Sequence, residues 1–272
     1  LISESGDQVM LSLTQNDELA WCHCSKCTTE KNKYNSNLAI IIKYANRLIR
    51  EIDKWKVEEN INKEIKLGIF CYQETMDPPV VSDGNGGWKP VSEDVICEKN
   101  VLIEYAPLRM AMHSDFDSSY NSGFSLILDQ LSAISENIGM WWYGTYFHTF
   151  LLPLNNFESV ANTVQYFVEH NVSWSFQEGQ GYTGSSSYEQ LRLFILSKLY
   201  DDPYQNLDVL YDKFFENYYL DASTVMREQF ESWRLLSTYN RDYLNMSGDV
   251  GAENLKSDYY PYAMVAKWAG LM

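Results

Sequence analysis

Two groups of residues in this chain have types and spacings that could do chemistry. The first is a set of carboxylates that close or interrupt apolar runs: Asp17 after "MLSLTQN", Glu74 after "GIFCYQ", Glu104 within "VLIEYAP" and Glu178 after "VSWSFQ". Two carboxylates facing one cleft are what glycoside hydrolysis needs, one donating a proton to the leaving oxygen while the other acts as nucleophile or activates water. Asp17 and Glu178 are the expected pair, as acid and base or as contacts to sugar hydroxyls. Each also has a plainer alternative, with Asp17 capping the loop that follows and Glu178 pairing with a nearby Arg. Glu104 sits mid-strand, pointing either into a sheet interior or at helices, and structural pairing with a Lys or Arg is expected for it. Glu74 and Asp77 stand in a proline-bounded loop, where solvation is the default.

The second group is Cys22, Cys24 and Cys27, a C-x-C-x-x-C run. Zinc sites usually take four ligands as two separated pairs, and a fourth from His23, Cys71 or Cys97 would lack that spacing. A Cys24–Cys27 redox pair needs a helix N-terminus to lower one thiol pKa, and "SKCTTEKN" offers a weak one. The expectation is therefore loop structure, a disulfide or a small metal knot, and no cofactor is expected. His113, in "MHSDFD", has no second His at ligand spacing and is expected to contact substrate or to order its loop. His148 and His170 read as structural.

These side chains must be positioned by strands and helices that alternate along the chain. Apolar runs predict strands over 8–17, 65–74, 100–110, 138–148 and 172–179, and helical spacing predicts helices over 37–55, 123–137, 157–171 and 187–202. Residues 76–94 hold prolines and glycines enough for a long loop. After Pro203 the strands stop, and helices are predicted over 207–219 and 222–244. Strand and helix in alternation mean a parallel sheet. A doubly wound sheet would carry a Gly-rich phosphate loop after its first strand, and 17–21 has no glycine. The expected fold is thus α/β, the C-terminal part of a (β/α)8 TIM-like barrel of about five βα units. It spans 1–202, and a helical segment over 203–272 packs on it. The upstream half of the barrel would then belong to a parent protein, and without it the sheet edges are open and apolar.

Both parallel architectures put chemistry at the carboxyl ends of the strands. There the sequence places Asn16 and Asp17, then Tyr72 and Glu74, then Glu104, Arg109 and His113, then Trp141, Trp142 and Tyr143 with His148 beyond, and last Gln177 and Glu178. No G-x-S-x-G, Walker or H-E-x-x-H motif is present. The 272 residues carry 21 Lys plus Arg against 37 Asp plus Glu, a net charge of -16, which argues against nucleic acid or an anionic membrane surface. Aromatic residues make up 15%, material for sugar-stacking surfaces and for ordinary cores alike. No stretch approaches the ~18 apolar residues of a membrane span. The chain starts at Leu1 without a signal pattern and reads as a processed or excised piece, and its five cysteines fit a reducing compartment or a secreted protein with one thiol left over.

The stretches "SLTQNDELAWCHCSKC", "YQETMDPP", "NVLIEYAPLRMAMH", "MWWYGTYFHTFLLPL", "WSFQEGQG", "LRLFILSKLYDDP" and "FFENYYLDAS" resemble the DUF4838-domain family of bacterial proteins, related to α-glucuronidase-like glycoside hydrolases. They cover nearly the whole chain. The resemblance implies a TIM-like barrel with its first strands upstream, in a secreted or cell-surface protein acting on complex glycans. The family's aromatic strand reads Trp-Asp-Tyr, whereas here Trp142 takes the middle position. If that acid is catalytic elsewhere, this chain lacks it. Two functions are therefore carried forward. One is a glycoside hydrolase-like protein acting on a polysaccharide or glycoconjugate, with Asp17 and Glu178 catalytic and Asn16, Tyr72, His113, Trp141, Trp142 and Tyr143 binding substrate. The other is a non-catalytic carbohydrate-binding barrel. A third, a doubly wound domain with a redox cysteine cluster, is the weakest.

Overall fold

The computed structural model describes residues 6–146, 154–179, 188–240 and 258–271. The chain divides into two compact units, one of residues 1–107, 123–142 and 168–176, the other of 108–122, 143–167 and 177–272.

The first unit carries most of a parallel sheet. In chain order the elements through the last strand are β1 (Gln8–Ser12), α1 (Ser25–Tyr34), α2 (Leu38–Glu58), β2 (Glu64–Cys71), a small hairpin of β3 (Val80–Ser82) and β4 (Trp88–Pro90), β5 (Val101–Tyr105), α3 (Ser122–Ser132), β6 (Ile138–Tyr143), α4 (Val160–Glu169), most of which belongs to the second unit, and β7 (Val172–Glu178). The sheet runs β1-β2-β5-β6-β7, so neighbours in space are neighbours in sequence once the hairpin is set aside. β1 pairs β2, β2 pairs β5 and β5 pairs β6, all in parallel. The Ile138 and Gly144 amides donate to the carbonyls of Asn171 and Glu178, 3.1 and 3.0 Å, which continues the parallel sense to β7. A doubly wound sheet reverses its strand order at a switch point. This sheet has no reversal, which removes the doubly wound reading and leaves a half-barrel arrangement of β and α units.

The two faces of the sheet differ because side chains alternate. Ile65, Leu67, Ile69, Cys71, Val101, Ile103, Tyr105, Ile138 and Met140 are fully buried on one face. Against this face α2 presents Leu38, Ala39, Ile42, Ala45 and Ile49, also buried, at the three-to-four-residue spacing of a single helix face. The Tyr105 hydroxyl donates to the Phe124 carbonyl of α3 at 3.1 Å, fixing that face as the helix-covered one.

Helix α1 and the strands β3 and β4 go beyond the sequence expectation. Helix α1 begins directly after Cys24, where polar residues hide any apolar stripe. The long loop over 76–94 contains β3 and β4, whose turn places Gly84 and Gly86 at φ +86° and +92°, conformations that glycine alone adopts freely.

The second unit is built around aromatic rings. Its helices α5 (Glu189–Asp201), α6 (Leu207–Tyr219) and α7 (Ser223–Tyr239) follow the predicted spans, and α8 (Tyr262–Leu271) was not expected. Phe157, Tyr211, Phe215, Phe230 and Trp233 share one core with Leu191, Ile195 and Leu199. Arg192 is buried beneath it, donating from Nε to Asn156 Oδ1 (3.0 Å) and from a terminal nitrogen to the Leu154 carbonyl (2.8 Å). Its guanidinium lies 5.2 Å from the Phe157 ring centre, and burial pulls its pKa down to about 10. Among the described residues no helix is long and apolar enough to cross a membrane.

Candidate functional site

The carboxyl ends of β1 and β2 are tied together. Beyond Ser12 the chain stays hydrogen-bonded to β2 through the Leu13 amide and the Gly68 carbonyl, 2.8 Å. Gln15 then donates its side-chain amide to the Tyr72 carbonyl and to Thr75 Oγ1, both 3.1 Å. Thr75 is the buried hub: its hydroxyl lies 2.9 Å from the Phe70 and Tyr72 carbonyls and accepts from the Tyr72 amide at 3.0 Å. Gln73 has φ +50°, uncommon for a residue with a side chain, and its amide donates to Asp17 Oδ1 at 3.2 Å. Asn16 and Asp17 are exposed at this end, and Tyr72 is half-buried. Behind the turn, Asn37 donates to the Glu74 carbonyl at 2.8 Å, linking the start of α2 to the same loop.

Glu104 departs from expectation. Its neighbour Tyr105 points to the helices, so Glu104 points to the opposite face, which it shares with Gly68 and Gly139. It is 5% exposed, and among the described residues it has no ion-pair partner. Lys66, on the same face of β2, pairs instead with Glu64 at 3.5 Å. The expected Lys or Arg partner is not found among the described residues, and desolvation alone raises the Glu104 pKa from its ordinary value. Two missing side chains give it room. A Cβ on Gly68 would stand 2.7 Å from Glu104 Oε1, and one on Gly139 would stand 3.4 Å from its Cγ.

Aromatic rings lie beside this carboxyl. Phe70 is in register with Glu104 on β2, and Gly139 on β6. Two residues beyond Gly139, Trp141 meets Phe70 edge-on at 5.3 Å and Phe176 at 4.2 Å. Trp174 closes over Gly139, where a Cβ would be 2.9 Å from its ring. Met10, Trp174 and Phe176 remain 42%, 40% and 39% exposed. Trp142 alternates to the other face and is 2% exposed. Sequence reading had both tryptophans at the strand end without distinguishing their faces. The glycines at 68 and 139 were the available signal for Glu104, because each removes a side chain beside a mid-strand acid.

The remaining candidates belong to the second unit. Glu178, half-buried, ends β7, and Tyr143, buried, ends β6. His113 is half-buried, with its ring 5.5 Å from that of Tyr120. Its loop is held by Asn121, fully buried, which accepts from the Ala111 amide (2.7 Å) and donates toward the carbonyls of Ala111, Ser114 and Asp115 at 3.0 to 3.2 Å. In the first unit, His170 Nε2 lies 3.1 Å from Asp129 Oδ1. His148 lies outside the described residues.

The cysteine run forms a cluster. Cys22, Cys24 and Cys27 are all reduced, and their sulfur atoms lie within 4.8 Å of one another. Cys24 is the N-cap of α1. The Cys27 amide, the Cys22 and Cys27 thiols and the Lys26 amide draw the Cys24 pKa down to about 7, while the Cys22 and Cys24 thiols push Cys27 up to about 11. The helix start that sequence reading judged weak is thus present. Cys71 is buried in the sheet, where desolvation raises its pKa.

No curated protein matches the chain, and no solved structure does. A family model does match, over residues 1–231, under the description "Domain of unknown function (DUF4838)". With that match covering most of its length, the chain belongs to the DUF4838 family.

Proposed function

We propose that this chain is the C-terminal part of a TIM-like barrel that acts on a complex polysaccharide or glycoconjugate as a glycoside hydrolase. The observation that carries the reading is Glu104, a desolvated carboxyl with no cation partner among the described residues, beside an aromatic strip on the sheet face away from the helices. A carboxyl whose pKa is raised by burial holds its proton to higher pH than an exposed one, the direction that general acid catalysis on a glycosidic oxygen needs. Flat rings such as Trp141 suit the apolar face of a pyranose. Asp17, exposed and held by Gln73, supplies an acceptor at a strand end, and Glu178 supplies another. Asn16 and Tyr72, in the first unit, and His113 and Tyr143, in the second, are the proposed substrate contacts, each within its own unit. The sequential strand order supports the barrel, with the missing strands supplied from the upstream part of a parent protein. A secreted or cell-surface bacterial location is part of this reading.

The test is turnover of polysaccharides and glycoconjugates by the full-length parent protein, with product release read by chromatography. Glu104→Gln is expected to reduce turnover by about 100-fold or more, the scale of general acid catalysis, and Asp17→Asn and Glu178→Gln are compared with it. Full turnover in Glu104→Gln would overturn its role as acid. The second reading, a non-catalytic carbohydrate-binding barrel, is favoured by the same aromatic strip. It is the result if glycans are retained on an array without release of product and Trp141→Ala abolishes retention.

A further inference from the structure

We propose that Cys22, Cys24 and Cys27 bind one zinc ion as a three-thiolate site that staples the loop carrying Asp17 to the start of helix α1. The three sulfur atoms already lie within 4.8 Å of one another and come from a loop residue, the helix N-cap and the first helical turn. Zinc–sulfur bonds of about 2.3 Å in a tetrahedron need sulfur atoms about 3.8 Å apart, so closing on an ion takes a contraction of roughly an ångström among side chains that are exposed or half-buried. A disulfide joins only two of the three and leaves the third thiol stranded in the cluster. A metal ion uses all three. Zinc is the ion whose site chemistry matches a set of thiolates drawn from one short loop. Among the described residues no fourth His, Cys, Asp or Glu joins the cluster, so the fourth position falls to water or an added ligand.

The loop gives the ion a purpose. Between Ser12 and Ser25 the chain forms no helix or strand and is mostly exposed. Its near end is pinned to β2 through Leu13 and Gln15, Asp17 accepts from the Gln73 side chain, and its far end runs into α1. A bound ion would fix Cys22 to the helix and shorten the segment between Asp17 and α1. The inference stands on the cysteines alone and is independent of the carbohydrate reading.

The experiment measures metal in the whole chain purified with reductant and then loaded with zinc or cobalt(II). One zinc per chain is expected by elemental analysis. The cobalt form should show sulfur-to-cobalt charge transfer and the intense visible bands of a tetrahedral site. Cys22→Ser, Cys24→Ser and Cys27→Ser should each weaken binding by at least about 10-fold, since even an outer-shell partner is worth that much, while Cys97→Ala leaves it unchanged. Zinc should also protect residues 14–24 from proteolysis. The inference is overturned if the wild-type chain takes up no zinc after reduction, with three fast-reacting thiols. It is equally overturned if Cys97→Ala loses the metal and the triad variants keep it. Metal content and the cobalt spectrum are read on the wild-type chain, so a variant that fails to fold does not decide the outcome.

Discussion

Replacing Gly68 with Ala should destabilise the chain, and the cause should be Glu104 rather than the strand. The added Cβ would stand 2.7 Å from Glu104 Oε1, with Met10 Sδ next at 3.6 Å. An ordinary contact is some 0.7 Å longer, so the carboxylate has to move while its strand and the rings beside it stay packed. Overpacking of this kind costs about 1–3 kcal/mol. In a Glu104→Ala background the obstructing oxygen is gone and the nearest atom left is a flexible Met sulfur. Gly68→Ala should then cost almost nothing, or gain slightly from the lower chain entropy of Ala. The double-mutant cycle should therefore show a coupling of about 1–3 kcal/mol, well outside the ~0.5 kcal/mol expected of independent sites. Urea unfolding of the four proteins at pH 7 measures it, with the m-value as a check that the mutations leave the transition comparable. Additive costs would mean that Glu104 does not fill the space above Gly68, and the niche argument for its burial would fail.

Further outcomes follow from the same contacts. Burial raises the Glu104 pKa in the folded state, so as pH rises the unfolded chain loses this proton first. The native state then holds more protons, and stability falls from the unfolded pKa, about 4.3, until the folded pKa is passed. Glu104→Gln should accordingly gain in urea midpoint over wild type at pH 7, with the gain shrinking at pH 4, and an equal difference at both pH values would rule this origin out. Phe230 is fully buried, with ring centres of Phe157, Tyr188, Tyr211 and Phe215 between 5.1 and 5.4 Å away. Phe230→Ala should cost about 3–5 kcal/mol, and a cost below ~1.5 kcal/mol in calorimetry or denaturation would mean that this core is not close-packed. Asn121→Ala should release the loop bearing His113, because several buried backbone groups lose a partner at about 1–3 kcal/mol each. Hydrogen exchange at the Ala111 amide should quicken, and unchanged protection would show another group holding it.

Much of the architecture was legible from local pattern. The apolar runs at 65–71, 101–105 and 138–143 became strands because burial on both faces favours continuous apolar residues, whereas the strand at 172–178 stays half-buried to exposed along its length. Helical spacing over 37–55, through Ile40, Ile41, Tyr44, Leu48 and Ile52, marked α2, but the face that packs is the adjacent one of Leu38, Ile42, Ala45 and Ile49, and Tyr44 stays 55% exposed. Helix α1 was missed because its ten residues, "SKCTTEKNKY", bury only Tyr34 and carry no stripe. The β3–β4 hairpin was missed because three-residue strands are too short to show a period.

The sequence by itself determined the order and kind of the main elements, the absence of a phosphate loop, and the clustering of three cysteines within six positions. Only the tertiary structure decided that the strands line up in sequential order, since strand order is a matter of pairing between distant segments. Register and alternation then decided the site. They put Trp141 and Glu104 on one face and Trp142 on the other, set Gly68 and Gly139 around the acid, and left Lys66 to Glu64. A one-residue change of register would reverse each of those assignments. Sequence therefore named Glu104 as a mid-strand acid, and only the packing of its neighbours left it desolvated, with no counter-charge among the described residues.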